Sequence, residues 1–428
     1  MKSFQPPMPG QPSSLQKEVE KGPPPPRHPQ RFSPILLWLA CFLAVALVFE
    51  GASRLFYYFH WGGHLYGIQY NEYSLRLGWK LAPGSYRFFE VNNQGFRRPT
   101  DISLATPNDT VRIFIIGGST AFGSNGLYPQ VDVKPLYYED TIDYQLQALL
   151  ESRHHGRRFE VINAAVSEYR LFQEMTLFRE KLVNYRPQLV IFLDGHNDIS
   201  FLTEGSVHSN EPAPHWKNRH FVRGERALNE SGILGPLYYL DIYLGRASYL
   251  YYGLTVLHQR LHEAIAGYIP TVQGIWGENI FRPADEEVLR QKYAAQLKEL
   301  DEALPTYLEL VNDLKASAAA RRVKIVYALQ PQIVVEESLR LSDKDRQIQD
   351  IAFQHQRDLG TISWRYVTPK IAAELAKLND QNFHFINLVN IAERDSKDLY
   401  TDYCHLTVEG NRAVVERLYP IIVSMLGK

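Results

Sequence analysis

From residue 111 onward, short runs of apolar and β-branched residues alternate with longer amphipathic patterns. Short apolar runs bounded by turn residues are typical of buried strands, and strands that alternate with helices predict a three-layer α/β domain around a parallel sheet. Five strands are predicted, at Val111–Ile116, Phe159–Ile162, Leu189–Leu193, Val323–Leu329 and Phe383–Leu388. The helical patterns include Glu139–Glu151, Phe172–Asn184, Glu286–Ser317 and Val408–Leu426.

A different hydrophobic pattern lies near the N-terminus. The uncharged run Ile35–Phe49 is short for a membrane span, but extension to about Phe56 makes it long enough. Aromatic residues follow at Phe56–Phe59 and Trp61, as is typical of a membrane interface. We therefore predict a transmembrane anchor over residues 34–58. A cleaved signal peptide and a buried core helix are the alternatives.

The 33 residues before this run are rich in Pro, Gln and Ser, so they predict a disordered tail. Only Arg54 lies close behind the run, and the positive-inside rule therefore places the tail in the cytoplasm and the rest of the chain on the other side. The basic residues of the tail that this rule counts are Lys2, Lys17, Lys21, Arg27 and Arg31.

Composition narrows the class of protein. The chain has 428 residues, of which 45% are hydrophobic and 22% charged, an ordinary globular balance. The formal net charge of -1, without a local basic block, argues against nucleic-acid binding. The two cysteines, Cys41 and Cys404, are too few for a disulfide framework or a cysteine-based metal site.

Polar residues follow several predicted strands at the point where each strand ends. Parallel strands bring their carboxyl ends to one edge of the sheet, where ligands of such folds bind. Three clusters end the first three strands, and a fourth lies in the loop after the fifth strand: Gly117-Gly118-Ser119-Thr120, Asn163-Ala164-Ala165-Val166-Ser167, Asp194-Gly195-His196-Asn197-Asp198 and Asp402-Tyr403-Cys404-His405. We expect these four clusters to converge.

Their residue types suggest nucleophilic catalysis. An acceptor at Asp402 can orient His405, whose free Nε2 would then take the proton of Ser119. Asn197 and the backbone N–H groups of Ser119 and Ala165 are candidate donors to an oxyanion. Each motif also has a conformational explanation, since Ser and Thr cap helices, Gly-x-Asn-Asp forms turns, and an Asp-x-x-His pair arises by chance.

Together, the four clusters resemble the sequence blocks of the SGNH (GDSL-like) hydrolases, over roughly residues 111–427. The resemblance implies a flavodoxin-like sheet of about five strands, no metal or organic cofactor, and hydrolysis of esters or thioesters, often of short acyl groups on carbohydrates. It makes Ser119 the nucleophile and first oxyanion donor, Asn197 a side-chain donor, His405 the base and Asp402 its orienting residue. The chain departs from the family at Ala165, where glycine is usual.

The segment Asn93-Gln94-Gly95-Phe96-Arg97 resembles one that precedes this domain in membrane-anchored bacterial members. The predicted organisation is a tail (1–33), an anchor (34–58), an extracytoplasmic lead-in (59–110) and a hydrolase domain (111–428). An aromatic-rich insertion at about 200–283 interrupts that domain. It is either a lid that binds sugars or touches the membrane, or a small helical subdomain packed on its own aromatic residues.

The predicted function is that of a serine esterase, or acyltransferase, anchored in the bacterial inner membrane with its catalytic domain in the periplasm. Its substrate would be an acylated glycan, a lipid or a small ester. The alternative is a catalytically weak relative that binds glycan or serves polysaccharide assembly.

Overall fold

The computed structural model of the chain describes residues 33–68, 70–74, 76–124, 126, 131, 134–203, 240, 243–266, 279–393 and 397–427. Within these ranges the α-helices are α1 (Pro34–His60), α2 (Ser119–Phe122), α3 (Ile142–Arg153), α4 (Leu171–Glu180), α5 (His196–Thr203), α6 (Tyr249–Ala266), α7 (Glu286–Lys292), α8 (Ala294–Ala319), α9 (Asp343–Ala376) and α10 (Val408–Leu426). Short 3-10 helices lie at Tyr138–Asp140, Leu182–Tyr185, Pro283–Asp285, Ile333–Val335 and Ser338–Arg340.

Two small antiparallel pairs come before the central sheet. The strands are β1 (Asn71–Ser74), β2 (Gly78–Leu81), β3 (Gly84–Ser85), β4 (Glu90–Val91), β5 (Thr110–Gly117), β6 (Arg158–Asn163), β7 (Leu189–Asp194), β8 (Lys324–Leu329) and β9 (Phe383–Asn387). β1 pairs with β2 and β3 with β4, so the part of the lead-in that the structure describes is built of short hairpins.

The five strands β5–β9 form one parallel sheet in the order β6-β5-β7-β8-β9. This is the flavodoxin-like strand order, and it confirms the predicted α/β fold. All six residues of β7 are buried, as expected for a central strand covered on both faces. The strand bounds differ from the predicted ones by no more than one residue at either end.

Helices cover both faces of this sheet. α3 packs against β6 and α10, while α4 packs against β5 and α8, and α8 in turn contacts α9. α10 begins where Thr407 accepts a hydrogen bond from the N–H of Gly410 at 3.0 Å, an N-cap that fixes the chain directly after the His405 loop.

Three helical patterns differ from the structure in detail. The predicted helix Glu139–Glu151 begins later, at Ile142, because residues 138–140 form a 3-10 turn. The pattern Phe172–Asn184 becomes α4 and a 3-10 turn, and Glu286–Ser317 becomes α7 and α8 with a break at Tyr293.

The 34-residue helix α9 was not predicted. It is kinked at Arg357, whose φ is 57°, and it contains Pro369. These features interrupt the helical period in the sequence.

The apolar N-terminal helix α1 has no buried residue. Among the described residues it is the one helix long and apolar enough to cross a membrane. The interpretation as a buried core helix is therefore wrong. Within the insertion predicted at about 200–283, the structure describes α6 and a few flanking residues, and the remainder lies outside the described residues.

One buried ion pair joins β5 to its neighbour and generates a prediction. Arg112 is fully buried; its Nε lies 2.7 Å from Glu160 Oε2, and it also donates to the carbonyl of Tyr185 at 2.7 Å. We expect Arg112→Gln to lower the free energy of unfolding by about 3 kcal/mol, because it leaves buried acceptors unpaired. Urea denaturation measures the change.

Arg158 supplies the matched control, since it pairs with Asp109 at 3.4 Å on the same strand pair but is largely exposed. Arg158→Gln should change stability by less than about 0.5 kcal/mol. Equal losses in the two variants would contradict this account.

Candidate active site

Ser119 lies directly after the central strand β5. It is the first residue of the short helix α2 and is half-buried. The first N–H groups of a helix have no carbonyl partner within that helix. The backbone N–H of Ser119, the first residue of α2, therefore makes no hydrogen bond within α2. In the part of the chain that the structure describes, the Ser119 hydroxyl makes no hydrogen bond.

Asp402 and His405 form a buried hydrogen-bonded pair. His405 Nδ1 lies 2.7 Å from Asp402 Oδ2, and the other oxygen, Oδ1, accepts the backbone N–H groups of His405 at 2.8 Å and Cys404 at 2.9 Å. His405 Nε2 is buried and has no hydrogen-bond partner among the described residues. The imidazole is thus oriented at one nitrogen and available at the other.

Burial and charge shift the pKa values of Asp402 and His405 in opposite directions. Burial raises the pKa of Asp402, but the neighbouring imidazole and three hydrogen bonds outweigh it and bring the pKa down to about 2. Burial alone would lower the pKa of His405, yet the carboxylate of Asp402 raises it well above its ordinary value. The pair therefore favours an ionised aspartate and stabilises an imidazolium.

Thr120 ties the serine turn to the histidine loop. Its hydroxyl donates to the carbonyl of Cys404 at 3.1 Å and accepts from Gln330 Nε2 at 2.9 Å. Thr120 follows Ser119, and Cys404 precedes His405, so this bond brings the two sequence clusters together. Sequence reasoning included Thr120 in the first cluster without predicting its connecting role, and it missed Gln330, which belongs to no catalytic residue pattern.

Asn197 is held beside the same turn. It is buried and donates through Nδ2 to the carbonyl of Tyr169 at 2.7 Å. A Cβ atom at Gly118 would lie 2.5 Å from Asn197 Nδ2, which is closer than side chains pack. Glycine at position 118 therefore allows the Asn197 amide to lie directly against the residue that precedes Ser119.

Ala165 lies nearby, but its N–H is already used. It donates to Asn163 Oδ1 at 3.1 Å, while Asn163 Nδ2 donates to Asp143 Oδ1 at 2.9 Å and to the carbonyl of Ala121 at 3.0 Å. The expected third oxyanion donor is thus engaged within the protein.

The turn before Tyr169 contains a residue with unusual backbone geometry. Glu168, which was not predicted as a special position, adopts a left-handed φ of 69°. No glycine marks this turn in the sequence.

The lead-in supports the serine turn through Arg97. This buried side chain donates to the carbonyls of Phe122, Gly123 and, at 3.0 Å, Leu136. A cation at the C-terminal end of α2 complements its unpaired carbonyl groups. Burial lowers the pKa of Arg97 to about 10, against the opposing effect of Asp143. The segment before the parallel sheet thus holds the end of α2, the helix that begins at Ser119.

Three carboxyl groups are buried behind the Asn197 turn. Asp198 accepts the N–H of Leu171 at 3.1 Å, where α4 begins, and Asp194 accepts the hydroxyl of Tyr327 at 3.1 Å. Burial raises the pKa of Asp198 and raises those of Glu174 and Asp194 strongly. Asp198 and Asp194 thus connect the segment around Asn197 to the start of α4 and to β8.

One group of potential metal ligands occurs among the described residues. Ligand atoms of Asp402, Cys404 and His405 lie within 4.8 Å of one another. The Asp402–His405 hydrogen bond already explains why these ligand atoms lie close together. Burial also raises the pKa of the Cys404 thiol and so disfavours the thiolate that a metal requires. The arrangement fits an oriented imidazole better than a metal centre.

No protein-family model and no curated protein sequence matches the chain. Solved structures do match it. An acetyl xylan esterase is 12% identical, over 73% of this chain and 100% of its own, at a TM-score of 0.34. A GDSL-like lipase from Bacteroides thetaiotaomicron is 12% identical, over 73% and 89%, at a TM-score of 0.29.

A family two carbohydrate esterase from Clostridium thermocellum, solved with cellohexaose, is 13% identical over 74% of this chain and 65% of its own, at a TM-score of 0.32.

The hydrogen bond between Asp402 and His405 leads to a prediction about the pKa of His405. The pKa of His405 should lie above its ordinary value of about 6.5, and Asp402→Asn should bring it below that value, because burial then acts unopposed. NMR titration of the labelled imidazole measures both. A similar pKa in the two proteins would show that Asp402 does not stabilise the imidazolium.

Proposed function

We propose that this chain is a serine ester hydrolase, or acyltransferase, that uses Ser119 as nucleophile and His405 as base. The observation that carries the proposal is the oriented imidazole. His405 is fixed by Asp402 at 2.7 Å, its Nε2 is buried and unpartnered among the described residues, and its loop is bonded to the turn that carries Ser119.

The reaction follows from the roles of these groups. In the neutral form of the imidazole, His405 Nε2 accepts the proton of the Ser119 hydroxyl as the hydroxyl oxygen attacks the ester carbonyl carbon. The imidazolium, stabilised by Asp402, then gives the proton to the leaving alcohol as the carbon–oxygen ester bond breaks. Water or a second alcohol attacks the acyl-enzyme in the same way and releases Ser119.

Two donors are proposed to stabilise the oxyanion. The backbone N–H of Ser119 begins helix α2 and lacks an intrahelical partner. The amide of Asn197 uses one N–H for the Tyr169 carbonyl, and its second N–H remains for a ligand. Ala165 is left out of this proposal because its N–H donates to Asn163.

We further propose that the enzyme is anchored in the bacterial inner membrane by α1, with its catalytic domain in the periplasm. The apolar composition of the helix and the basic residues before it support this orientation. Short acyl esters on an envelope glycan or lipid are the proposed substrates.

Removal of the nucleophile or the base should abolish hydrolysis. We expect the purified full-length protein to release p-nitrophenol from its acetyl ester, and Ser119→Ala and His405→Ala each to lower kcat by about 10⁴-fold or more. Ser152→Ala, on the exposed end of α3, is the control and should retain activity.

Hydrolysis that persists in both Ser119→Ala and His405→Ala would refute the assignment. A wild-type protein that cleaves no ester but is retained on an immobilised polysaccharide would instead favour the glycan-binding alternative.

The close approach of Gly118 to Asn197 gives a second prediction. Gly118→Ala should displace the Asn197 amide and lower kcat by about 10²-fold, as expected for one lost oxyanion donor. Asn197→Ala should have a similar effect. If Gly118 acts through Asn197, the double variant should be no slower than Asn197→Ala alone. Fully additive losses would argue against this relationship.

A further inference from the structure

A cavity lies where the end of α1 meets the lead-in and α6, and neither Asp402 nor His405 lines it. Its volume is about 600 Å³, within the range of about 300–1,000 Å³ typical of small-molecule sites. Aromatic side chains supply much of its wall, together with Val256 and Leu257 of α6. These aromatic residues include Tyr57, Trp61, Tyr70, Phe88 and Tyr252.

The cavity combines this apolar wall with one guanidinium. Among the described residues that line it, Arg87 is the one arginine, and no carboxylate occurs. The Arg87 side chain is exposed, and its guanidinium lies 5.9 Å from the ring centre of Trp61 and 4.8 Å from that of Phe88. A ligand that suits both features has an apolar body and an anionic group.

Exposed apolar side chains flank the cavity on two helices. Leu254, Leu257 and Leu261 are each more than half exposed and share one face of α6, given their spacing of three and four residues. Phe56 and Phe59, on the last turns of α1, are 63% and 74% exposed. Adjacent apolar surface of this kind is typical of a membrane-binding region.

The two helices are in contact where the cavity forms. The Tyr57 ring lies 5.7 Å from that of Tyr249 and 5.5 Å from that of Tyr252, and the Arg54 guanidinium donates to the carbonyl of Ala247 at 2.8 Å. α1 has the composition of a membrane span, and its last turns carry aromatic residues of the kind found at membrane interfaces. The membrane anchoring proposed above, on which this inference rests, would place the cavity beside the lipid.

We propose that this cavity binds one anionic membrane phospholipid. An acyl chain lies against the aromatic rings and Val256, and the phosphate binds the Arg87 guanidinium. The site also contacts the serine turn, since Tyr70 stacks on Phe122, the last residue of α2, with ring centres 5.9 Å apart at 14°. The proposal does not depend on ester hydrolysis by Ser119.

Native mass spectrometry of the full-length chain tests this directly. The protein, released from detergent micelles, is titrated with phosphatidylglycerol or with phosphatidylcholine of the same acyl chains. We expect one phosphatidylglycerol to bind about fivefold more tightly than phosphatidylcholine, the effect expected for one basic residue near an anionic lipid. Arg87→Gln should abolish the preference, and Val256→Trp, which fills the cavity, should weaken binding of both lipids.

Arg76→Gln is the matched control, because Arg76 is exposed, pairs with Glu180 and does not line the cavity. It should bind lipid as the wild type does. Circular dichroism establishes whether each variant is folded. If Val256→Trp does not fold, the lipid preference of Arg87→Gln, a substitution at an exposed position, still tests the proposal. Equal binding of the two lipids by the wild type, or an unchanged preference in Arg87→Gln, would overturn the proposal.

Discussion

The hydrogen bond from the Thr120 hydroxyl to the carbonyl of Cys404 spans 284 positions of sequence and joins the two halves of the candidate site. The serine half is fixed by β5 and the histidine half by the start of α10. Gln330, directly after β8, donates to the same hydroxyl and so adds the end of a second strand to the connection. This contact helps to fix the position of the serine half relative to the histidine half, together with the hydrogen bond from the N–H of Ile333 to the carbonyl of Tyr403 at 3.0 Å.

The negative charge of Asp402 favours the protonated form of His405, which the proposed reaction requires after proton transfer. Asp402 is buried yet ionised, because His405 and two backbone N–H groups stabilise its charge. That carboxylate in turn favours the imidazolium that would form when His405 takes a proton. The lead-in contributes from the other side, where Arg97 binds the carbonyl end of α2. A segment that reads in sequence as a connection thus supports the proposed nucleophile.

Much of the fold could be predicted because its signals are local. The five strands are short apolar runs, and their alternation with helices sets the parallel sheet. The kinked helix α9 was missed because Arg357 and Pro369 break its period. The residue types of the proposed site were also visible in sequence. The engagement of Ala165 by Asn163 and the left-handed turn at Glu168 were not, since both depend on backbone geometry that these residue types do not reveal.

The proposed role of Ser119 can be tested most directly by covalent labelling. The full-length protein is treated with a fluorophosphonate, and the modified residue is identified by mass spectrometry. If His405 activates the Ser119 hydroxyl as proposed, Ser119 should be labelled stoichiometrically, and His405→Ala should lose the labelling, because the hydroxyl is then no longer activated. Absence of label at Ser119 in the folded wild-type protein, or equal labelling in His405→Ala, would contradict the account.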